Sequence, residues 1–180
     1  AYALRHPERI GRFIVMNTTA FLPPRGKPIP MILKLIRILR PFATLAVLGF
    51  NLFAYGALFK NSYKGLPDNV KSGLIAPYNC WKNRIATLKF VQDIHLGEKN
   101  PSYGIVKQVE EGLESFTNFP MLICWGKHDF VFDLDYLGEW QRRFPDAEDH
   151  CFPNAGHYVL EDVPEKIIPL TRDFLRQHPL

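Results

Sequence analysis

The chain has 180 residues, of which 47% are hydrophobic and 22% charged, enough for one globular core and unlike a disordered or low-complexity chain. The net charge of +4 at pH 7 is spread along the chain without a nucleic-acid-binding motif, so it does not indicate a nucleic-acid partner. Three cysteines lack C-x-x-C spacing, and two of them, Cys124 and Cys151, fall in predicted core strands. We therefore expect reduced thiols and a cytoplasmic location.

The first residues resemble the end of a helix. Ala1 to His6 precede Pro7, a helix stop signal, and they lack the apolar segment and cleavage site of a signal peptide. We therefore expect the chain to be a fragment. Residues 10–16 are β-branched and aromatic and predict a buried strand, and Asn17 lies in the turn at its carboxyl end.

A long helical stretch follows, introduced by a proline-rich loop. Residues 31–40 place Lys34, Arg37 and Arg40 on one face of an apolar helix, a pattern that also suits a lipid interface. Residues 42–59 carry no charge and reach the length of a membrane span, but glycines and polar residues interrupt them. We favour a buried or membrane-touching lid over a true span.

The last third of the chain alternates strands and helices. We predict strands at residues 121–125 and 149–152, and helices at 135–143 and 164–176. This alternation predicts a parallel sheet with helices on both faces, in the α/β class. The predicted core comprises residues 1–21 and 119–180, and residues 22–118 form an all-helical cap.

Two polar residues follow strands of this sheet. Asp129 comes after the strand at 121–125, and His157 comes after the strand at 149–152. A carboxylate that orients an imidazole, in this chain order, is the acid–base part of a hydrolase triad. When each residue is considered alone, it also has a purely structural explanation: His157 as a turn residue, and Asp129 as the cap of a helix or turn.

Other polar residues nearby compete for these roles. Asp133 and Asp135 lie further from the strand end than Asp129, and His128 and His150 are less suitably placed than His157. Neither HxH nor i,i+4 histidine spacing occurs, so we expect no metal site, and we expect no cofactor.

Several segments resemble a known family. The stretches HPERIGRFIVMNTTAF, WGKHDFVFD and AGHYVLEDVPEKI resemble the second half of the haloalkane dehalogenase-like branch of the α/β-hydrolases. The cap segment APYNCWKNRIATLKFVQDI resembles the β-lactone decarboxylases of bacterial long-chain olefin biosynthesis. The resemblance covers essentially the whole chain. It implies the C-terminal part of an α/β-hydrolase fold with a helical cap.

The resemblance also implies roles for individual residues. The family's acid falls on Asp129 and its base on His157, while Asn17 occupies the position that carries the acid in some dehalogenases. The nucleophile, an aspartate in a glycine-rich turn, would lie before Ala1 and outside this chain. It would form an enzyme ester that water, activated by His157, releases.

The implied substrate is small and apolar or long-chained: a β-lactone that yields an alkene, or a haloalkane that yields an alcohol. The residues that we predict to contact it are Trp81, Phe130, Phe132, Tyr158 and Asn17. For Trp81, packing is the favoured explanation over substrate contact. We also predict peripheral membrane contact through the cap and a complex with other olefin-biosynthesis enzymes.

Two further hypotheses remain open. One is another α/β-hydrolase chemistry, an epoxide hydrolase or a serine esterase, with the same acid and base. The other is a non-enzymatic lipid-binding lid module. Because the nucleophile is not in the sequence, we expect these 180 residues alone to be inactive.

Overall fold

A parallel sheet of three strands lies at the centre of the part of the structure that contains both strands and helices. The computed structural model describes residues 1–24, 27, 39–94, 97–98 and 100–180. Strands β1 (Phe13–Met16), β2 (Met121–Gly126) and β3 (Glu148–Phe152) pair in the order β1-β2-β3, and both pairings are parallel. The predicted α/β class and parallel sheet are confirmed.

Strand β2 is the middle strand, and all its residues are buried. Its apolar side chains alternate between two hydrophobic clusters because successive strand residues point to opposite faces. Ile123 and Trp125 pack in one cluster with residues of the helix Leu134–Arg143. Leu122 and Cys124 pack in the other with residues of the helix Pro164–Gln177. A helix on each face therefore makes this a covered parallel sheet.

The helices of this part match the predicted ones closely. The helices Leu134–Arg143 and Pro164–Gln177 begin and end within one residue of the predicted bounds. The remaining helical segments are the α-helices Tyr2–Arg5, Pro101–Gly112 and Val159–Asp162 and the 3₁₀ turns Pro7–Arg9 and Leu113–Phe116.

The two outer strands are less buried than the sequence predicts. β1 begins at Phe13 rather than at residue 10, and only Val15 in it is fully buried. In β3 only Phe152 is buried, and Cys151 is exposed, so the prediction that Cys151 lies in a core strand is wrong. Both strands have a single neighbour in the described sheet, whereas β2 has two.

The chain divides into two compact units. The first contains Ala1–Arg25, Asn61–Lys64 and Ile105–Leu180, and the second contains Gly26–Lys60 and Gly65–Gly104. Of the residues predicted as cap, 22–25, 61–64 and 105–118 fall in the first unit. Their functional assignment as core and cap stays a prediction.

The second unit is helical in its described part. Its α-helices are Arg40–Thr44, Leu52–Lys60, Asp68–Ile75 and Ile85–Asp93, with a π-helix at Leu45–Gly49 and 3₁₀ turns at Ala76–Tyr78 and Lys82–Arg84. The Arg84 guanidinium donates to the carbonyl oxygens of Leu48 and Gly49 at 2.8 and 2.9 Å and so caps the π-helix.

The charge-free segment is bent rather than continuous. Among the described residues, no single helix is long and apolar enough to cross a membrane. The stretches Pro41–Gly49 and Leu52–Lys60 meet those criteria only as a pair, and they are bent by 70°. The predicted basic face of residues 31–40 lies outside the described part, with Lys34, Arg37 and the Arg40 side chain.

Candidate active site

The turn after β2 holds Asp129 in the interior, where its side chain has no exposed surface. The backbone N–H of Asp129 donates to the Gly126 carbonyl oxygen at 3.1 Å, which closes the turn. Asp129 Oδ1 accepts from the backbone N–H groups of Val131 and Phe132 at 2.7 and 3.0 Å. Asp129 Oδ1 thus bonds to the backbone of its own turn, which leaves Oδ2 for a contact outside the turn.

His157 contacts that second oxygen. Its Nδ1 lies 2.8 Å from Asp129 Oδ2, and the imidazole is 23% exposed. Because a carboxylate only accepts hydrogen bonds, Nδ1 carries the proton in this pair. The other ring nitrogen, Nε2, is then free to accept a proton from a reacting group, as in an acid–histidine pair of a hydrolase. The structure therefore brings together the two residues that the sequence singled out.

Close backbone contact makes this pairing possible. A Cβ atom on Gly126 would lie 2.1 Å from the Gly156 carbonyl oxygen and 2.8 Å from that of Ala155. Contacts this short do not occur, so only glycine lets the two loops approach. The His128 N–H also donates to the Ala155 carbonyl oxygen at 2.9 Å. The loops after β2 and β3 are therefore fixed to each other beside His157.

Asn17 joins the end of β1 to the same loops. Its backbone has φ 38°, a left-handed conformation that asparagine tolerates better than most residues. Its side-chain Oδ1 accepts from Gly126 N–H at 2.8 Å, and its Nδ2 donates to the carbonyl oxygens of Gly156 and His157 at 2.7 and 3.3 Å. The buried amide thus connects three strand ends. Its predicted contact with substrate stays a prediction.

The competing polar residues have other contacts. Asp133 is the N-cap of the helix Leu134–Arg143, and its side chain accepts from Asp135 N–H at 3.1 Å. The His128 ring stacks on Tyr63 with centroids 4.3 Å apart. His150 Nε2 lies 2.8 Å from Glu148 Oε1, at the start of β3. Among the candidate acids, Asp129 is the one with a hydrogen bond to His157 in the described part of the chain.

The predicted substrate-binding side chains differ in their placement. The rings of Phe132 and Tyr158 lie 5.8 and 6.0 Å from the His157 ring, centroid to centroid. Phe130, in the same turn as Asp129, is 57% exposed. Trp81 belongs to the second unit, where it is 49% exposed. Within the described part of the chain, no three His, Cys, Asp or Glu side chains are grouped as a metal site would require.

One buried acid beside the site, Asp162, is not among the residues that the sequence predicts. Its side chain accepts hydrogen bonds from Gly156 N–H at 2.7 Å and from the Ser62 hydroxyl at 2.6 Å. Burial raises the pKa of Asp162, but hydrogen bonds from Gly156, Ser62, Tyr63 and Lys64 outweigh it and bring the pKa below its ordinary value. The acidic pair Glu161–Asp162 lies close after His157 in the sequence, but three of the four donors to the Asp162 carboxylate lie about 100 residues earlier.

Comparisons with known proteins agree with this geometry. The family model for the alpha/beta hydrolase fold matches residues 1–164. The chain belongs to this family. The parallel strand order β1-β2-β3 agrees with this fold, and membership of the family supports an enzyme.

Two curated relatives carry the same name, cis-3-alkyl-4-alkyloxetan-2-one decarboxylase. The protein from Shewanella oneidensis is 40% identical over 98% of this hydrolase chain, and the protein from Xanthomonas campestris is 36% identical over 99%. The chain spans only 55% and 59% of their lengths.

Among solved structures, a haloalkane dehalogenase from Bradyrhizobium elkani has a similar fold. Its TM-score is 0.82 at 17% identity, and the match covers 98% of this chain and 62% of the dehalogenase. Identity this low shows a common fold and does not extend to the reaction.

Proposed function

We propose that this chain supplies the acid and base of an α/β-hydrolase that works through a covalent ester, and that the enzyme is a β-lactone decarboxylase forming long-chain alkenes. The hydrogen bond of 2.8 Å between a fully buried Asp129 carboxylate and a partly exposed His157 imidazole carries the proposal. The identities of 40% and 36% to decarboxylases of 3,4-dialkyl β-lactones support the substrate class.

Asp129 has the orienting role in this proposal. Its two backbone hydrogen bonds fix the carboxylate, which in turn fixes the imidazole with its proton on Nδ1. The carboxylate also stabilises the imidazolium that forms when Nε2 takes a proton. His157 is the general base that activates water toward the carboxyl carbon of the covalent ester intermediate.

The nucleophile in this proposal is an aspartate outside these 180 residues. Its carboxylate opens the strained lactone ring and forms the ester. Attack at the alkyl-bearing carbon bonded to the ring oxygen breaks that C–O bond, forms the ester there and leaves a free carboxylate on the neighbouring carbon. Water, deprotonated at His157 Nε2, adds to the carboxyl carbon, and the bond between the carboxyl carbon and its neighbour breaks. The electron pair of that bond forms the double bond and expels the enzyme aspartate as a carboxylate, and the carboxyl carbon leaves as bicarbonate. The chain's own contribution is the proton transfer at His157 Nε2.

A chimaera tests the substrate class. These 180 residues would replace the matching region of the Shewanella oneidensis decarboxylase, and the product would be assayed with a cis-3,4-dialkyl β-lactone, a 1-haloalkane and a short-chain ester. We expect alkene from the lactone, detected by gas chromatography, and little halide or carboxylic acid from the other two. We expect no turnover of any of the three by the 180-residue chain alone.

Two results would contradict the proposal. Rapid halide release without alkene would favour a dehalogenase, and ester hydrolysis without alkene would favour an esterase. The Shewanella oneidensis protein itself serves as the positive control, because it shows that the lactone and the alkene assay are sound.

A further inference from the structure

Asp162 is a buried acid that the proposed reaction does not use. The residue is 2% exposed, and each of its two carboxylate oxygens accepts two hydrogen bonds. Oδ1 accepts from the Ser62 hydroxyl at 2.6 Å and from Lys64 N–H at 3.2 Å. Oδ2 accepts from Gly156 N–H at 2.7 Å and from Tyr63 N–H at 2.9 Å. Hydrogen bonds to a charged acceptor are among the stronger ones in proteins, so this carboxylate is a firm anchor.

Asp162 restrains Gly156, the residue that precedes His157. Gly156 is held from two sides, because its N–H donates to Asp162 and its carbonyl oxygen accepts from Asn17 at 2.7 Å. With both backbone polar groups fixed, Gly156 has little freedom to rotate. The position of the His157 backbone, and hence the direction of its imidazole toward Asp129, follows from this restraint.

Residues 61–64 run along the same loop. The Tyr158 N–H donates to the Asn61 carbonyl oxygen at 2.7 Å, so this segment contacts both neighbours of His157. A Cβ on Gly156 would lie 2.9 Å from the Asn61 oxygen and 3.2 Å from the Tyr63 nitrogen, which shows how closely the backbones approach. The Lys64 ammonium also donates to the Asp162 carbonyl oxygen at 2.8 Å.

Residues 61–64 differ from their neighbours in sequence in the compact unit to which they belong. Residues 61–64 belong to the first compact unit, whereas the residues on either side of them, up to Lys60 and from Gly65, belong to the second. The chain thus returns briefly to the unit that holds His157. Asp162 binds this segment through three hydrogen bonds, alongside the stacking of Tyr63 on His128.

We propose that Asp162 is a positioning residue for His157, which fixes the Gly156 backbone and fastens residues 61–64 along the histidine loop. The inference rests on the proposed function in so far as His157 is the base. A merely structural anchor would affect the stability of the fold, whereas a positioning residue also determines how long the imidazole stays on Asp129.

Nuclear magnetic resonance of the 180-residue chain, labelled with ¹⁵N-histidine and ¹⁵N backbone amides, separates these two roles. The readouts are the exchange rate of the His157 Nδ1 proton with water and the exchange rates of the Gly156, Tyr63 and Lys64 amides. In Asp162→Ala we expect all four to exchange about 10- to 100-fold faster, because buried donors lose their acceptor and the loop opens more often.

A conservative variant of Asp162 and two control variants of Asp173 are measured beside Asp162→Ala. In Asp162→Asn we expect a smaller increase, about 3- to 10-fold, because the amide keeps one acceptor oxygen while its NH₂ group meets other N–H donors. Asp173→Ala and Asp173→Asn make the same changes at a carboxylate that is 61% exposed and paired with Arg176. These controls should leave all four rates unchanged.

Each result decides the inference. It is overturned if folded Asp162→Ala exchanges the His157 Nδ1 proton at the wild-type rate or, where that variant does not fold, if Asp162→Asn does. Asp129→Asn keeps the test separate from the proposed function. Absence of a protected Nδ1 proton in the wild type, or its survival in Asp129→Asn, would contradict the acid–base pair itself.

Discussion

Asp129→Asn is the substitution whose consequences follow most directly from the geometry. The amide oxygen can keep the hydrogen bonds from Val131 and Phe132, because these converge on Oδ1. The NH₂ group then faces His157 Nδ1, where Oδ2 stood at 2.8 Å. Two N–H donors cannot bond to each other, so the imidazole must move its proton from Nδ1 to Nε2 and accept at Nδ1.

The size of the effect differs between stability and catalysis. Three hydrogen bonds to the charged carboxylate become neutral ones, which lowers the free energy of unfolding by about 2–4 kcal/mol. The tautomer change removes the proton-accepting Nε2, and the loss expected from a wrong tautomer is about 10⁴-fold in turnover. The fold should survive because the side chains have the same shape.

Two measurements on the 180-residue chain check this reasoning. Two-bond ¹H–¹⁵N couplings in ¹⁵N-histidine-labelled protein identify the tautomer, and urea unfolding gives the free-energy change. We expect the Nδ1–H form in the wild type and the Nε2–H form in Asp129→Asn, with His150 as an internal reference. An Nδ1–H imidazole in both proteins would refute the assignment of Asp129 as the orienting acid.

Further outcomes concern the packing around the site. Gly126→Ala should abolish or severely weaken folding, because the added Cβ would lie 2.1 Å from the Gly156 carbonyl oxygen. Gly138→Ala lies in a helix and its Cβ would have nothing within 4 Å, so this variant should raise the free energy of unfolding by about 0.5–1 kcal/mol. Equal thermal unfolding midpoints for the two variants would contradict this. Hydrogen bonds from Arg142 and Arg143 lower the pKa of Glu139 to about 2, despite an opposing effect of burial. The folded pKa lies below the ordinary value of 4.5, so the stability that Glu139 contributes is present above about pH 4.5 and is lost as the pH falls toward 2. The difference in unfolding free energy between the wild type and Glu139→Gln should therefore shrink across that range, and a constant difference would rule out this ion pair as its source.

The parts of the fold that the sequence predicts well are those set by local pattern. β2 and the helix Leu134–Arg143 combine an unbroken apolar run with a polar turn and an N-cap at Asp133, and both ends of each element are encoded within a few residues. The outer strands were predicted less well, because their burial depends on neighbours that the local pattern does not contain. Cys151 is the clear example: its strand is real, but its side chain is exposed.

The candidate site shows the same division. Asp129 and His157 are recognisable because each follows a strand, and parallel strands bring their carboxyl ends to one edge of the sheet. Asn17 and Asp162 are recognisable only in three dimensions, since most of their partners lie more than 90 residues away in sequence. No periodicity in residues 61–64 indicates that this segment leaves the helical unit to run beside His157.

The most direct test of the central claim is alkene formation from a cis-3,4-dialkyl β-lactone by the chimaera and its variants. The account predicts that Asp129→Asn reduces the rate by about 10⁴-fold and His157→Gln by about 10²- to 10⁴-fold, while Asp173→Asn leaves it unchanged. Alkene formation that continues at the parental rate in both Asp129→Asn and His157→Gln would contradict the claim that this pair is the acid and base of the enzyme.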